Sequence, residues 1–167
     1  MESIAHHSCF KCEMRPDRPF CDLPPDALQA FDQIKEVSQL TKGTVLFCEG
    51  RPSRGVFVLC HGRAKLSVCS DSGKRLMLRV AGPGEVLGLS ATMANKPYEL
   101  SAELVDNGQV VFIRRKDLLR FLKDNQNACM QIVHLLSDDL HNAFDRVRTV
   151  GLTRSRRSRL LPFRGRA

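Results

Sequence analysis

The feature that most narrows the fold is the spacing of glycines between Lys42 and Arg115. "TVLFCEG", "GVFVLCHG", "AKLSVCS", "RLMLRVAG", "YELSAELV" and "QVVFIRR" are short apolar or alternating runs, separated by Gly43, Gly50, Gly55, Gly62, Gly73, Gly82, Gly84 and Gly108. Runs of this length between turn residues predict strands, and strands at this spacing predict an all-β sandwich or barrel of the jelly-roll kind. "SDSGKR", between two of the runs, reads as a hairpin turn.

Helical periods flank the strand region. "DLPPDALQAFDQIKEVSQL" predicts a short helix, with Pro24 and Pro25 at its start, Asp26 in its first turn, and Leu28, Phe31 and Ile34 at helical spacing. "KDLLRFLKDN" predicts another short helix, and "NQNACMQIVHLLSDDLHNAFDRVRTV" a long one. In the long helix Val133, Leu136, Leu140, Ala143, Val147 and Val150 recur at alternating spacings of three and four, a heptad seam suited to a twin helix. Ile132, Leu135 and Phe144 widen the apolar face, enough for the flank to pack on the helix's own β-domain. A helix of that length spans roughly 39 Å at 1.5 Å per residue, long for a small domain to cover alone, so a homodimer is expected. The expected fold class is mainly β with flanking helices: a double-stranded β-helix, or jelly roll, followed by a long dimerisation helix. Four segments follow: a Cys-rich stretch at residues 1–22, a β-roll sensor at 23–124, the dimerisation helix at 125–150, and a basic tail at 151–167.

Charge is uneven along the chain. The net charge is +8, but the last fourteen residues, "RSRRSRLLPFRGRA", carry six arginines and no acid. The rest holds 20 basic and 18 acidic groups, a difference of +2, so an all-over basic surface for nucleic acid is excluded. No run of about 18 apolar residues suggests a membrane span. "MESIAHHSC" lacks the basic start and apolar stretch of a signal peptide, and the expected location is cytoplasmic. In a reducing compartment the seven cysteines read as metal ligands, redox groups or small buried residues rather than a disulfide frame. Three of them, Cys9, Cys12 and Cys21, fall in "HHSCFKCEMRPDRPFC" with two histidines. Zinc would accept three cysteines and a histidine. A thiol switch would need only two of the cysteines, one activated by Lys11, Arg15 or Arg18. No enzyme is expected: His61, His134 and His141 are scattered, without a ligand or catalytic spacing.

The run "KGTVLFCEGRPSRGVFVLCHGRAKLSVCSDSGKRLMLRVAGPGEVLGLSA" resembles the sensor half of bacterial transcription regulators of the cAMP receptor protein/fumarate-nitrate reduction regulator (CRP/FNR) family. The combination of an "F-x-x-G" turn, a "Gly-Arg-x-Lys-Leu" strand start, a hairpin and a "Pro-Gly-Glu-x-Leu-Gly" loop carries the likeness, over about residues 20 to 153. The resemblance implies a cyclic-nucleotide-binding-like roll, a dimer along the long helix, and DNA binding through a following helix-turn-helix in intact members. It places an effector pocket around Gly84, Glu85, Gly88, Leu89 and Ser101. Leu89 stands where cAMP-binding members have a ribose-binding Glu, and Glu99, Leu100 and Ser101 stand where they have an Arg-Ser pair for the phosphate. A carboxylate there would repel the ligand, which argues against cAMP and for a roll filled with side chains.

Oxygen-sensing members hold an iron–sulfur cluster on four thiolates, and the resemblance implies that Cys9, Cys12 and Cys21 supply three. The late-strand position of the fourth reads Val110-Val111-Phe112, so the fourth ligand would be sought among Cys48, Cys60, Cys69, Cys129, His6 and His7. The first three of those lie in β-runs, and Cys129 lies on the seam, where each also reads as a core residue. An iron–sulfur cluster, zinc and a metal-free thiol site all stay open. Seventeen residues follow Val150, too few for a helix-turn-helix, and Pro162 and Gly165 interrupt them. The expectation is a regulator cut short before its DNA reader, whose sensor couples to DNA binding in the intact family. The alternative is a stand-alone module that acts through protein partners.

Overall fold

The computed structural model describes Cys9, Cys12 and residues 21–158, with side chains through residue 149. His6, His7, Lys11, Arg15, Arg18, the Val150 side chain and residues 159–167 lie outside the described residues.

Helix α1 (Pro25–Ile34) starts where proline's fixed φ and missing N–H cost nothing, and buries Ala27, Leu28 and Phe31 on one face. It ends earlier than its sequence suggests. Lys35–Leu40 turns extended to form β1, because all six residues pair antiparallel with β8 (Gly108–Arg114). β2 (Val45–Phe47), β3 (Gly55–His61), β4 (Ala64–Cys69), β5 (Arg75–Ala81), β6 (Val86–Leu87) and β7 (Ser101–Leu104) complete the strands. They form two four-stranded sheets, ordered β1-β8-β3-β6 and β2-β7-β4-β5. The crossing order, with consecutive strands alternating between the sheets except at the β4–β5 hairpin, is that of a jelly roll.

Between the sheets lies one core, with Phe47, Leu66, Ala102 and Leu104 from one side and Leu59, Leu87 and Val110 from the other. The "SDSGKR" turn closes the β4–β5 hairpin, with the Gly73 N–H donating to Ser70 O and the Ser70 N–H to Lys74 O. β5 is outermost in its sheet, and Leu76, Met77, Leu78 and Val80 on it are exposed.

Helix α2 (Leu89–Ala94), not legible as a separate element in the sequence, sits between β6 and β7. Helix α3 (Arg115–Asp124) buries Leu118, Phe121 and Leu122, and the Phe121 ring meets Phe31 of α1 at 5.8 Å. Asn125 is extended and breaks the chain from α3 into helix α4 (Gln126–Ser158), whose first turns bury Ala128 and Ile132. The structure divides into two units between Ile132 and Val133. The helix continues through Gly151 and "LTRS" rather than ending at Val150. No helix among the described residues is long and apolar enough to cross a membrane.

Candidate functional site

Three regions could carry function: the loop from Gly82 to Ser101 at the roll, the thiols near the start of the chain, and the exposed face of α4.

The loop turns its polar groups inward on itself. The Gly84 N–H donates to Leu59 O at 2.7 Å and the Leu59 N–H to Glu85 O at 3.0 Å, which fastens the turn to β3. The Glu85 carboxylate accepts the Gly82 N–H at 2.7 Å and pairs with Arg79 at 2.5 Å, so a backbone amide and a guanidinium that could face an anion already hold a carboxylate. Gly88 starts α2 at φ +75°, and a Cβ there would lie 2.7 Å from the Tyr98 ring, so only glycine fits. Leu89 is buried in the core rather than presented to a ligand. Ser101 Oγ accepts the Glu49 N–H at 2.9 Å, tying β7 to the residues after β2. Of the five expected pocket residues, Gly84 and Glu85 thus build the turn, Gly88 admits a ring, Leu89 fills, and Ser101 pins a strand.

The ring admitted by Gly88 is the chief feature the sequence did not disclose. Tyr98, the single tyrosine of the chain, stacks on Phe47 with centroids 4.2 Å apart. Its hydroxyl donates to Gly55 O at 2.7 Å and accepts the Arg54 N–H at 3.3 Å. The buried Thr92 hydroxyl donates to the same carbonyl at 2.9 Å. Arg115, the first residue of α3, then donates its Nε to Thr92 O at 2.8 Å and its N–H to Arg54 O at 2.8 Å. Hydrogen bonds therefore run without a gap from the roll, through α2, to the helix that leads into α4.

At the start of the chain, Cys9 is anchored twice. Its N–H donates to Asp32 Oδ1 at 3.0 Å, and Lys35 Nζ donates to its Sγ at 3.1 Å. Lys35, with only 4% of its side chain exposed, also pairs with Asp32 at 2.5 Å. Burial pushes the Cys9 thiol up, and the Lys35 ammonium only partly offsets this. For Asp32, burial is outweighed by the bonds from Lys35 and from the Cys9 N–H, which lower its carboxyl. Burial works likewise against the Lys35 ammonium, but bonds to Asp32 and Cys9 raise it on balance. The Cys12 N–H donates to Cys9 O at 3.3 Å, closing a turn. Cys21 is buried, and next to it Asp22 O accepts the Gln131 side-chain amide of α4 at 3.0 Å.

Among the described residues, no three His, Cys, Asp or Glu side chains stand together as a ligand set. Cys9 Sγ is engaged by an ammonium, and Cys21 is in the core. The sequence-level reading of other cysteines as core is also corrected. Cys48, which follows β2, and Cys69 and Cys129 are exposed, and Cys60 is half-buried.

On α4, Val133, Leu140 and Val147 of the seam are 47%, 55% and 70% exposed. Ala143 and Phe144 are exposed as well, and Leu136 is half-buried. Large apolar side chains at heptad spacing thus stand in solvent.

Residues 37–125 match the family described as "Cyclic nucleotide-binding domain". Among curated proteins, the chain is similar to the anaerobic regulatory protein of Bacillus subtilis, 23% identical over 74% of this chain and 52% of that protein. It is also similar to the transcriptional activator protein anr of Pseudomonas aeruginosa, 26% identical over 85% of this chain and 58% of that protein. The chain spans a little over half the length of these relatives. Among solved structures, the catabolite activator protein of Thermus thermophilus superimposes with a TM-score of 0.71 at 19% identity, covering 80% of this chain and 62% of that one. The sensor domain of the transcriptional regulator DNR from Pseudomonas aeruginosa gives 0.63 at 26% identity, covering 76% and 85%.

Proposed function

The chain belongs to the cyclic nucleotide-binding domain family, and from that premise we propose that it is the sensing and dimerising part of a transcription regulator of the CRP/FNR type. The single observation that carries the proposal is the exposed heptad stripe of α4, Val133, Leu140 and Val147, on the helix that leaves a roll of this family. An apolar stripe of this period is most economically covered by the same stripe of a second copy. In this reading the roll transmits rather than binds cAMP. The place of a ribose-binding carboxylate is taken by buried Leu89, and the space between the sheets holds the stacked rings of Phe47 and Tyr98.

The signal enters through the thiols at the start of the chain, acting without a metal. Two contacts support that route: Cys9 is bound to the α1–β1 junction through Asp32 and Lys35, and the carbonyl after Cys21 is bound to α4 through Gln131. A chemical change at Cys9 would alter the balance between two arrangements of the paired helices, and DNA contacts elsewhere in the assembled regulator would read that balance. Sedimentation equilibrium tests the dimer, with twice the chain mass expected at micromolar concentration. A monomer at all concentrations would refute it. Calorimetric titration with cAMP is expected to give no binding heat, and saturable binding would overturn the filled-roll reading.

A further inference from the structure

We propose that Cys9 and Lys35 form an oxidisable pair, which a hydroperoxide closes into a covalent sulfur–nitrogen cross-link between the start of the chain and the α1–β1 junction. The inference rests on the thiol reading above and gives the thiol its reaction partner. Three observations carry it. Lys35 Nζ lies 3.1 Å from Cys9 Sγ, with nothing between them. The Lys35 side chain is almost wholly buried and held by Asp32, so the amine is not free to swing into water. The Cys9 backbone is fixed by the same carboxylate, so the two reacting atoms sit on one rigid support. By contrast, Cys12 is joined to Cys9 through a backbone bond, and Cys21 is packed in the core.

The chemistry balances in two steps. The Cys9 sulfur, as thiolate, attacks one oxygen of hydrogen peroxide. The O–O bond breaks, hydroxide leaves and takes up a proton as water, and sulfur is oxidised by two electrons to the sulfenic acid. Lys35, having given its ammonium proton to that hydroxide, attacks the sulfenic sulfur with its nitrogen lone pair. The S–O bond breaks, and the departing oxygen leaves as a second water. Thiol, ammonium and peroxide thereby give one S–N bond, two waters and one proton. Thiol reductants reverse the step by attacking sulfur and returning the amine. Arg would keep the charge at position 35 but not this amine.

The test uses the full chain, treated with hydrogen peroxide and then mapped by tryptic mass spectrometry without reductant. The expected product joins the Cys9 and Lys35 peptides with a net loss of two hydrogens. It lacks cleavage after Lys35 and disappears on adding dithiothreitol. It should be absent from Cys9→Ser and Lys35→Arg and retained in Cys12→Ser. Recovery of Cys9 as a disulfide with Cys12 or Cys21, or as sulfinic acid with Lys35 still cleaved, would overturn the cross-link and leave the thiol reading standing. Cys9 recovered unmodified at peroxide levels that oxidise the exposed Cys129 would overturn both.

Discussion

Removing the two hydroxyls on the Gly55 carbonyl should cost more together than the sum of the separate changes. The Arg115 N–H bonds Arg54 O on the β8 side, which turns Gly55 O toward α2, where the Tyr98 and Thr92 hydroxyls donate to it. Tyr98→Phe leaves Thr92 on the carbonyl and strips the Arg54 N–H of one acceptor, a loss of about 1 kcal/mol, the net worth of an ordinary hydrogen bond. Thr92→Val, nearly equal in shape, also leaves one donor and should cost about 1 kcal/mol. The double variant leaves a buried carbonyl with neither hydroxyl, adding a desolvation penalty of about 1–3 kcal/mol beyond the sum. Equilibrium urea unfolding at one fixed protein concentration measures all four corners, with the midpoint moving and the slope constant. Strict additivity, or a neutral Tyr98→Phe, would refute the claim that the Gly55 carbonyl ties α2 and Tyr98 to β3.

Other expectations are narrower. In the proposed dimer, Leu140→Asp would set two unpaired carboxylates against each other and should remove about 3 kcal/mol or more of dimer stability; sedimentation that still gives a dimer would break the seam assignment. Gly88→Ala combines a φ of +75° with a Cβ against the Tyr98 ring, so it should destabilise by about 2 kcal/mol, read as a lowered Tm. Two hydrogen bonds from Arg63, at 2.6 and 3.2 Å, hold the exposed Asp106 carboxyl below its usual range. The pair's contribution is therefore complete above the ordinary carboxylate range and lost as pH falls through the lowered value. Arg63→Ala should raise the Asp106 midpoint in an NMR titration, and an unmoved midpoint would reassign the cause.

The roll was legible because its information is local: short apolar runs between turn glycines read as strands whatever surrounds them. "KEVSQL" was misread as helix because nothing within those six residues outweighs the preceding helical period. Its extended form comes from pairing with β8, about seventy residues away in sequence. The continuation of α4 through Gly151 was missed for the opposite reason, since a glycine costs a helix only about 1 kcal/mol and a long rod absorbs that. The loop positions were found by resemblance, but their roles were not. That Gly88 makes room for Tyr98, and that Glu85 satisfies Gly82 and Arg79, depend on side chains converging from separate turns. The partnership of Cys9 with Lys35 spans 26 positions and has no periodic signature. Burial of single cysteines was likewise unreadable, because a thiol suits a core or a surface equally well.

The outermost strand β5 has a consequence for handling the protein. Its free backbone edge and exposed Leu76, Met77, Leu78 and Val80 make a template on which another β5 could lie antiparallel. Lys74 and Arg75 stand beside that template, while Arg79 on it is paired with Glu85, and two such edges brought together would face each other with the like charge of Lys74 and Arg75. Only ionic screening weakens that guard, so concentrated salt should turn a well-behaved solution toward ordered self-stacking, and dilution in low salt should restore it.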